Sequence, residues 1–222
     1  MSAGRRRTFD EDGALETAMR VFWHKGYVGT SLSDLTAALG INRPSLYAAF
    51  GNKEQLFASA LARYGSRYGL PHAEHLLEPS DAPLRDRLRN SLSSVAHMLT
   101  DPSLPGGCLI AQRTSEAGGG NLPEEATRTL AGLRRETRRL LAEVFKQEQA
   151  AGNMRSERDA DRMASYVMTL MMGMAAMARG GADLAELEGV IALAMDSIQC
   201  LSLIHISEPT RPFTLSRMPS SA

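Results

Sequence analysis

Aromatic residues make up only 5% of this 222-residue chain. With alanine, leucine, methionine and arginine frequent, that shortage disfavours sheet and favours helix. Two cysteines, Cys108 and Cys200, exclude a disulfide framework as the source of stability. A reducing cytoplasm is the expected setting. No run approaches the roughly 18 uninterrupted apolar residues of a membrane span, so no membrane partner is expected. The opening MSAGRRRTFD has arginines but no apolar stretch and does not read as a secretory leader. Net charge is absent too, with 25 Lys and Arg against 25 Asp and Glu.

That balance hides an asymmetry. Residues 1–70 hold nine basic and six acidic side chains; residues 71–200 hold fourteen and eighteen. Arg5, Arg6 and Arg7 cluster at the front. A basic arm over residues 1–8 beside a small helical domain fits phosphate contact, and fits a solubilising tail equally well. The remaining composition, 43% apolar and 23% charged, is that of an ordinary globular chain.

Helical periodicity runs throughout, without strand alternation or internal repeat. Leu15, Ala18, Met19 and Phe22 share one face of a first helix capped by Asp10 or Asp12 and stopped by Gly26. Thr30 or Ser31 caps a second helix, SLSDLTAALG, with Ser31 and Asp34 spaced as a capping box. Asn42 and Pro44 start a third helix, and Asn52 a fourth, KEQLFASALARY. Glycine and proline loosen residues 65–83, the expected domain junction. Further helices are expected over 82–99, 108–117, 123 to about 150, 158–178 and from Asp183 to at least Gln199. The expectation is an all-α protein of about nine helices. An N-terminal helix-turn-helix domain (1–64) would precede a C-terminal helical bundle (65–200).

The third helix, within GINRPSLYAAFGNKEQLF, has room for only about two turns, too short to stand alone in water. Leu35, Leu39, Ile41 and Leu46 occupy the positions that must be buried for two short helices to cross. The front of the third helix then stays free to enter a DNA major groove. Arg43 suits bidentate bonding to guanine. Asn42 suits a cap or a phosphate, and Tyr47 suits a phosphate or packing. Helix N-termini favour phosphate, which draws in Thr30, Ser31 and Lys53.

Residues 9–57 resemble the DNA-binding domain of the TetR/AcrR family of bacterial regulators. Phe22, Gly26, Tyr27, Thr30, Leu35, Gly40, Ile41, Leu46, Tyr47, Phe50, Lys53 and Leu56 fall on the family pattern. Thr36 departs from it, standing where the family usually has alanine at the helix crossing. The resemblance implies a homodimer joined by the last two helices, a double-stranded operator of dyad symmetry, and release by a small-molecule inducer. Such a regulator, most simply a repressor, would work in the bacterial cytoplasm at the nucleoid. Matched by position, the DNA-contact candidates are Thr30, Ser31, Asn42, Arg43, Pro44, Ser45, Tyr47 and Lys53. Thr30 and Pro44 also have purely structural readings, as a cap and a helix start.

The C-terminal half speaks less clearly. Gly107-Cys108-Leu109-Ile110 resembles a motif that opens the sixth helix in one subgroup of the family. It places Cys108 near a helix N-terminus, where the dipole lowers a thiol pKa. Cys108 is then either an electrophile or redox sensor or a small residue in a packing site. Met163, Met168, Met171, Met172, Met174 and Met177 suit core, dimer contact or an adaptable ligand wall. The pocket expected here draws on Met98, Cys108, Gln112, Tyr166 and Met171. His72 and His75 lack a third ligand and read as loop histidines, with no metal expected. Arg134, Arg135, Arg138 and Arg139 read as a solvated face. No nucleophile–base pair, phosphate loop or cofactor motif supports an enzyme.

The segment from Leu201 onward changes character, with three prolines and one alanine in twenty-two residues. It resembles the conceptual translation of a transposase-type sequencing-library adaptor. The two fixed parts match Leu201–Arg211 and Ser216–Ala222 in one frame. Residues 201–222 are therefore expected to be non-native, and resequencing the locus from intact DNA tests this.

Overall fold

The first four helices each begin on a side-chain acceptor, because the leading N–H groups of a helix have no partner inside it. Asp10 accepts from Gly13 and opens α1 (Glu11–Gly29). Ser31 opens α2 (Leu32–Leu39), Asn42 opens α3 (Arg43–Phe50), and Asn52 opens α4 (Lys53–Tyr64). The computed structural model describes residues 10–77, 80–117, 120–154 and 159–199. The basic arm, Cys200 and the adaptor-like segment lie outside the described residues.

The stops also follow from local chemistry. Gly26 breaks α1 at φ 78° and ψ 174°, a region open essentially to glycine alone. Gly40 ends α2 in the left-handed conformation at φ 64°, the usual glycine C-cap geometry. Thr36, the departure from the family pattern, is accommodated without disturbance. Its hydroxyl donates to Leu32 O at 3.0 Å, within its own helix.

The expected loose junction is largely helical. A π-helical turn, Gly65–Gly69, leads directly from α4 into α5 (Leu70–Leu77). Beyond it come α6 (Leu84–Thr100), α7 (Leu109–Ala117), α8 (Glu124–Ala150), α9 (Ala160–Arg179) and α10 (Leu184–Gln199). Gly65 is there for closeness rather than looseness, since a Cβ on it would meet Leu133 Cδ2 of α8 at 3.0 Å. The count among the described residues is ten α-helices and no strand, one helix more than the periodicity implied. The fold is all-α, with an N-terminal helix-turn-helix and a C-terminal helical domain.

Two apolar cores hold it together. The first joins Phe22, Trp23, Leu35, Leu46, Phe57 and Leu61 under α1–α4. Leu39 and Ile41 pack against it only partly buried. Trp23 sits edge-on to Tyr64 and Tyr68, with ring centres 4.8 and 5.2 Å away. Leu109 of α7 and Leu130 of α8 are buried in this same core. The second core gathers α6, α8, α9 and α10 around Leu92, Phe145, Val167, Leu187 and Ile191. The methionines of α9 divide by face: Met163 and Met174 are buried in that core, and Met177 is 38% exposed.

Candidate nucleic-acid interface and adjoining cavities

α3 is carried by what lies under it. Leu46 is fully buried, while Asn42, Arg43, Pro44, Ser45 and Tyr47 all stay exposed. Asn42 Oδ1 accepts from Ser45 N at 2.9 Å, so its side chain caps α3. Pro44 occupies the first turn, where its missing N–H costs nothing. Arg43 Nη2 rests on Ser33 Oγ of α2 at 3.2 Å. Sequence reasoning missed Ser33 because the turn alone brings it beside Arg43.

The front of α2 is locked by a complete capping box. Asp34 N donates to Ser31 Oγ at 3.0 Å, and Ser31 N donates to Asp34 Oδ2 at 2.8 Å. Lys25 of α1 adds an ion pair to Asp34. The Lys25 hydrogen bond, followed by those from Ser31, holds the Asp34 carboxyl far below the usual carboxylate range. Lys53, at the start of α4, places Nζ over the Tyr27 ring, 4.2 Å from its centre. Burial lowers its ammonium pKa from the ordinary lysine value.

Thr30 is placed differently from the other candidates. It is 1% exposed, and its hydroxyl donates to Gly26 O at 2.5 Å. It closes the joint between α1 and α2 instead of facing solvent, and Ser31 takes the capping role. The structure thus brings Ser31, Asn42, Arg43, Pro44, Ser45 and Tyr47 to the surface with Lys53 half-buried beside them. Against Gly26 lies the guanidinium of Arg113, a buried α7 residue, with Nη1 2.1 Å from where a Cβ would stand. Nothing in the sequence pattern links positions so far apart.

Two mainly apolar cavities of about 120 and 330 Å³ adjoin this head. They share His72, Ile110, Leu133, Thr137 and Met171. Met98 and Cys108 line the smaller one. Two expected pocket residues are not part of either wall. Tyr166 is 41% exposed on α9, and Gln112 Nε2 donates to Gly106 O at 3.1 Å. Both face away because α7 and α9 turn other residues inward, Ala111 and Met168 among them. The Cys108 thiol is shifted opposite to the dipole expectation: burial pushes its pKa up and keeps it protonated at neutral pH.

A short exposed helix on an apolar head, joined to a larger helical domain with internal cavities, defines a helix-turn-helix DNA-binding regulator. Residues 14–60 match the family model described as bacterial regulatory proteins, tetR family. Residues 85–193 match that of a tetracyclin repressor-like C-terminal domain. The chain is 34% identical to the HTH-type transcriptional repressor ComR of Escherichia coli K12, over 84% of this chain and 87% of that protein. It is 29% identical to the repressor BdcR of the same strain, over 89% and 93% of the two chains. A cysteine mutant of the TetR-family regulator CifR, solved with 26-bp operator DNA, superposes with a TM-score of 0.76 at 32% identity, covering 87% of this chain and 99% of that one. The chain belongs to the TetR family of bacterial transcriptional regulators. Its relatives are regulators, not enzymes.

Proposed function

We propose that the protein is a homodimeric repressor that binds a palindromic operator and lets it go when a small molecule enters the cavities beside α7. Residues 1–64 act as the reader, and residues 65–200 bind ligand and join the subunits in the bacterial cytoplasm. The observation that carries this reading is the position of α7. Cys108 and Ile110 line a cavity, while Leu109 is buried in the core beneath α3. Filling the cavity therefore bears on the head that presents Arg43.

The dimer is assigned to α9 and α10. Among their described residues, Leu193 is 71% exposed and Tyr166 and Met177 are about two-fifths exposed. Gly173, Ala176 and Gly189 are exposed on the same helices and would permit close approach. A ligand shifts the equilibrium only by binding one dimer state more tightly than the other. The two α3 helices must meet half-sites about 34–36 Å apart, or a multiple of that, so a few ångströms of spread releases DNA. Relatives named as repressors support the direction of control, and the CifR mutant solved with operator DNA supports operator binding. Burial of the Cys108 thiol gives covalent sensing at that residue no added support.

Selection from random DNA duplexes, repeated across a salt series, tests the proposal. A palindromic site with a steep salt slope is expected. A folded, dimeric protein that selects no sequence overturns it.

A further inference from the structure

One cavity residue carries a polar group that an apolar lining does not explain. His72 lines both cavities. Two serines one turn apart on α6 hold it in place. Ser91 Oγ donates to the His72 carbonyl oxygen at 2.7 Å, and Ser94 Oγ pairs with Nδ1 at 2.8 Å. The ring is thus oriented through both backbone and side chain. Its other nitrogen, Nε2, is buried and has no hydrogen-bond partner among the described residues. Such an orphan costs free energy, and native folds keep few of them without a use.

The surroundings narrow what could supply the missing partner. Leu92, Val95, Leu133 and Met171 make the nearby walls apolar. The charged residues at the cavity borders, Arg134 and Glu136, are both exposed. Among the described residues, no lining side chain is both charged and buried. A ligand with a full charge would lose its hydration there and meet no buried counter-charge. Burial first, and then the nearby His75, lower the His72 pKa, so the ring is neutral at pH 7. His75 itself is exposed and lines neither cavity.

We propose that the cavities take a neutral, mainly hydrocarbon molecule of one to two rings, bearing a single hydroxyl- or carbonyl-type group that hydrogen-bonds to His72 Nε2. This rests on the reading of the cavities as the ligand site. The size follows from volume: an apolar cavity of about 150 Å³ holds benzene, and the larger cavity here is about 330 Å³. Ser94 can donate to Nδ1 or accept from it, leaving Nε2 as donor or acceptor. An alcohol matches either state.

Methionine-methyl ¹³C NMR of the full chain reads the cavities directly, because Met98 and Met171 line them. The probes are methylcyclohexane, cyclohexanol and cyclohexanecarboxylate, titrated into the native protein and into His72→Phe. The native protein should bind cyclohexanecarboxylate most weakly. In the variant, cyclohexanol affinity relative to methylcyclohexane should fall about tenfold, the scale of one buried hydrogen bond. Taking that ratio cancels the different hydration of the two probes. The ¹⁵N spectrum of native His72 needs no variant, and cyclohexanol but not methylcyclohexane should move Nε2. An unchanged ratio with an unmoved Nε2, a carboxylate that binds as tightly as the alcohol, or no response to any probe each overturns the proposal. Operator binding measured on the same samples tests the regulator reading separately, since neither result depends on the other.

Discussion

At the scale of single residues, surface charge and backbone geometry lead to different experiments. Arg43 stands exposed at the front of α3 with a side chain suited to base edges. Arg43→Ala is expected to cost about 1–3 kcal/mol at the preferred operator and to relax base preference. Lys53→Ala should instead weaken all sequences alike and flatten the salt slope by about one unit. Fluorescence anisotropy on a panel of operator variants distinguishes the two. Gly26 shows the limit of reading residues one at a time. Its role as a stop was legible from its place after an apolar face, but its contact with Arg113 was not. Gly26→Ala forces a side chain into backbone at φ 78° and into the Arg113 guanidinium. The backbone strain alone should cost about 1–3 kcal/mol, seen as a lower urea midpoint. Adding Arg113→Ser should recover the part due to the clash and leave the part due to strain.

At the scale of elements, α2 owes its start to a capping box whose two members are both visible in the sequence. The third member, Lys25, comes from α1 and is visible only in the fold. Because the Asp34 pKa is depressed in the folded state, its contribution is fully present above the ordinary carboxylate value of 3.8 and is lost as pH falls through the folded value. Asp34→Asn should therefore unfold more readily than the native protein at pH 7. The gap between their urea midpoints should narrow as pH is lowered below about 4. A gap that stays constant across that range would assign the effect to something other than charge. Residues 65–83 show why an element can be misread. Gly65, Gly69 and Pro71 look like punctuation, yet a π turn and α5 run through the first part of the segment. Glycine there answers to the approach of Leu133, a packing demand that has no local signal.

At the scale of the whole molecule, an operator of dyad symmetry requires two readers held at a set spacing. Leu193→Glu places a charge on the most exposed large apolar residue of α10. Sedimentation should then shift toward monomer, and operator affinity should fall at least tenfold with the helical spectrum unchanged. A variant that stays dimeric would move the joint away from this face. Helix class, the order of caps, the burial of Leu35 and Leu46 and the exposed front of α3 were all determined by the sequence alone. Each depends on neighbours within a few turns, where periodicity and capping chemistry act directly. Tertiary structure alone decided that Thr30 turns inward, that Tyr166 and Gln112 leave the cavity walls, and that His72 enters them. It also set Arg113 against Gly26 and raised the Cys108 pKa. These are contacts and burial between elements distant in the chain, where side-chain direction depends on how whole helices pack.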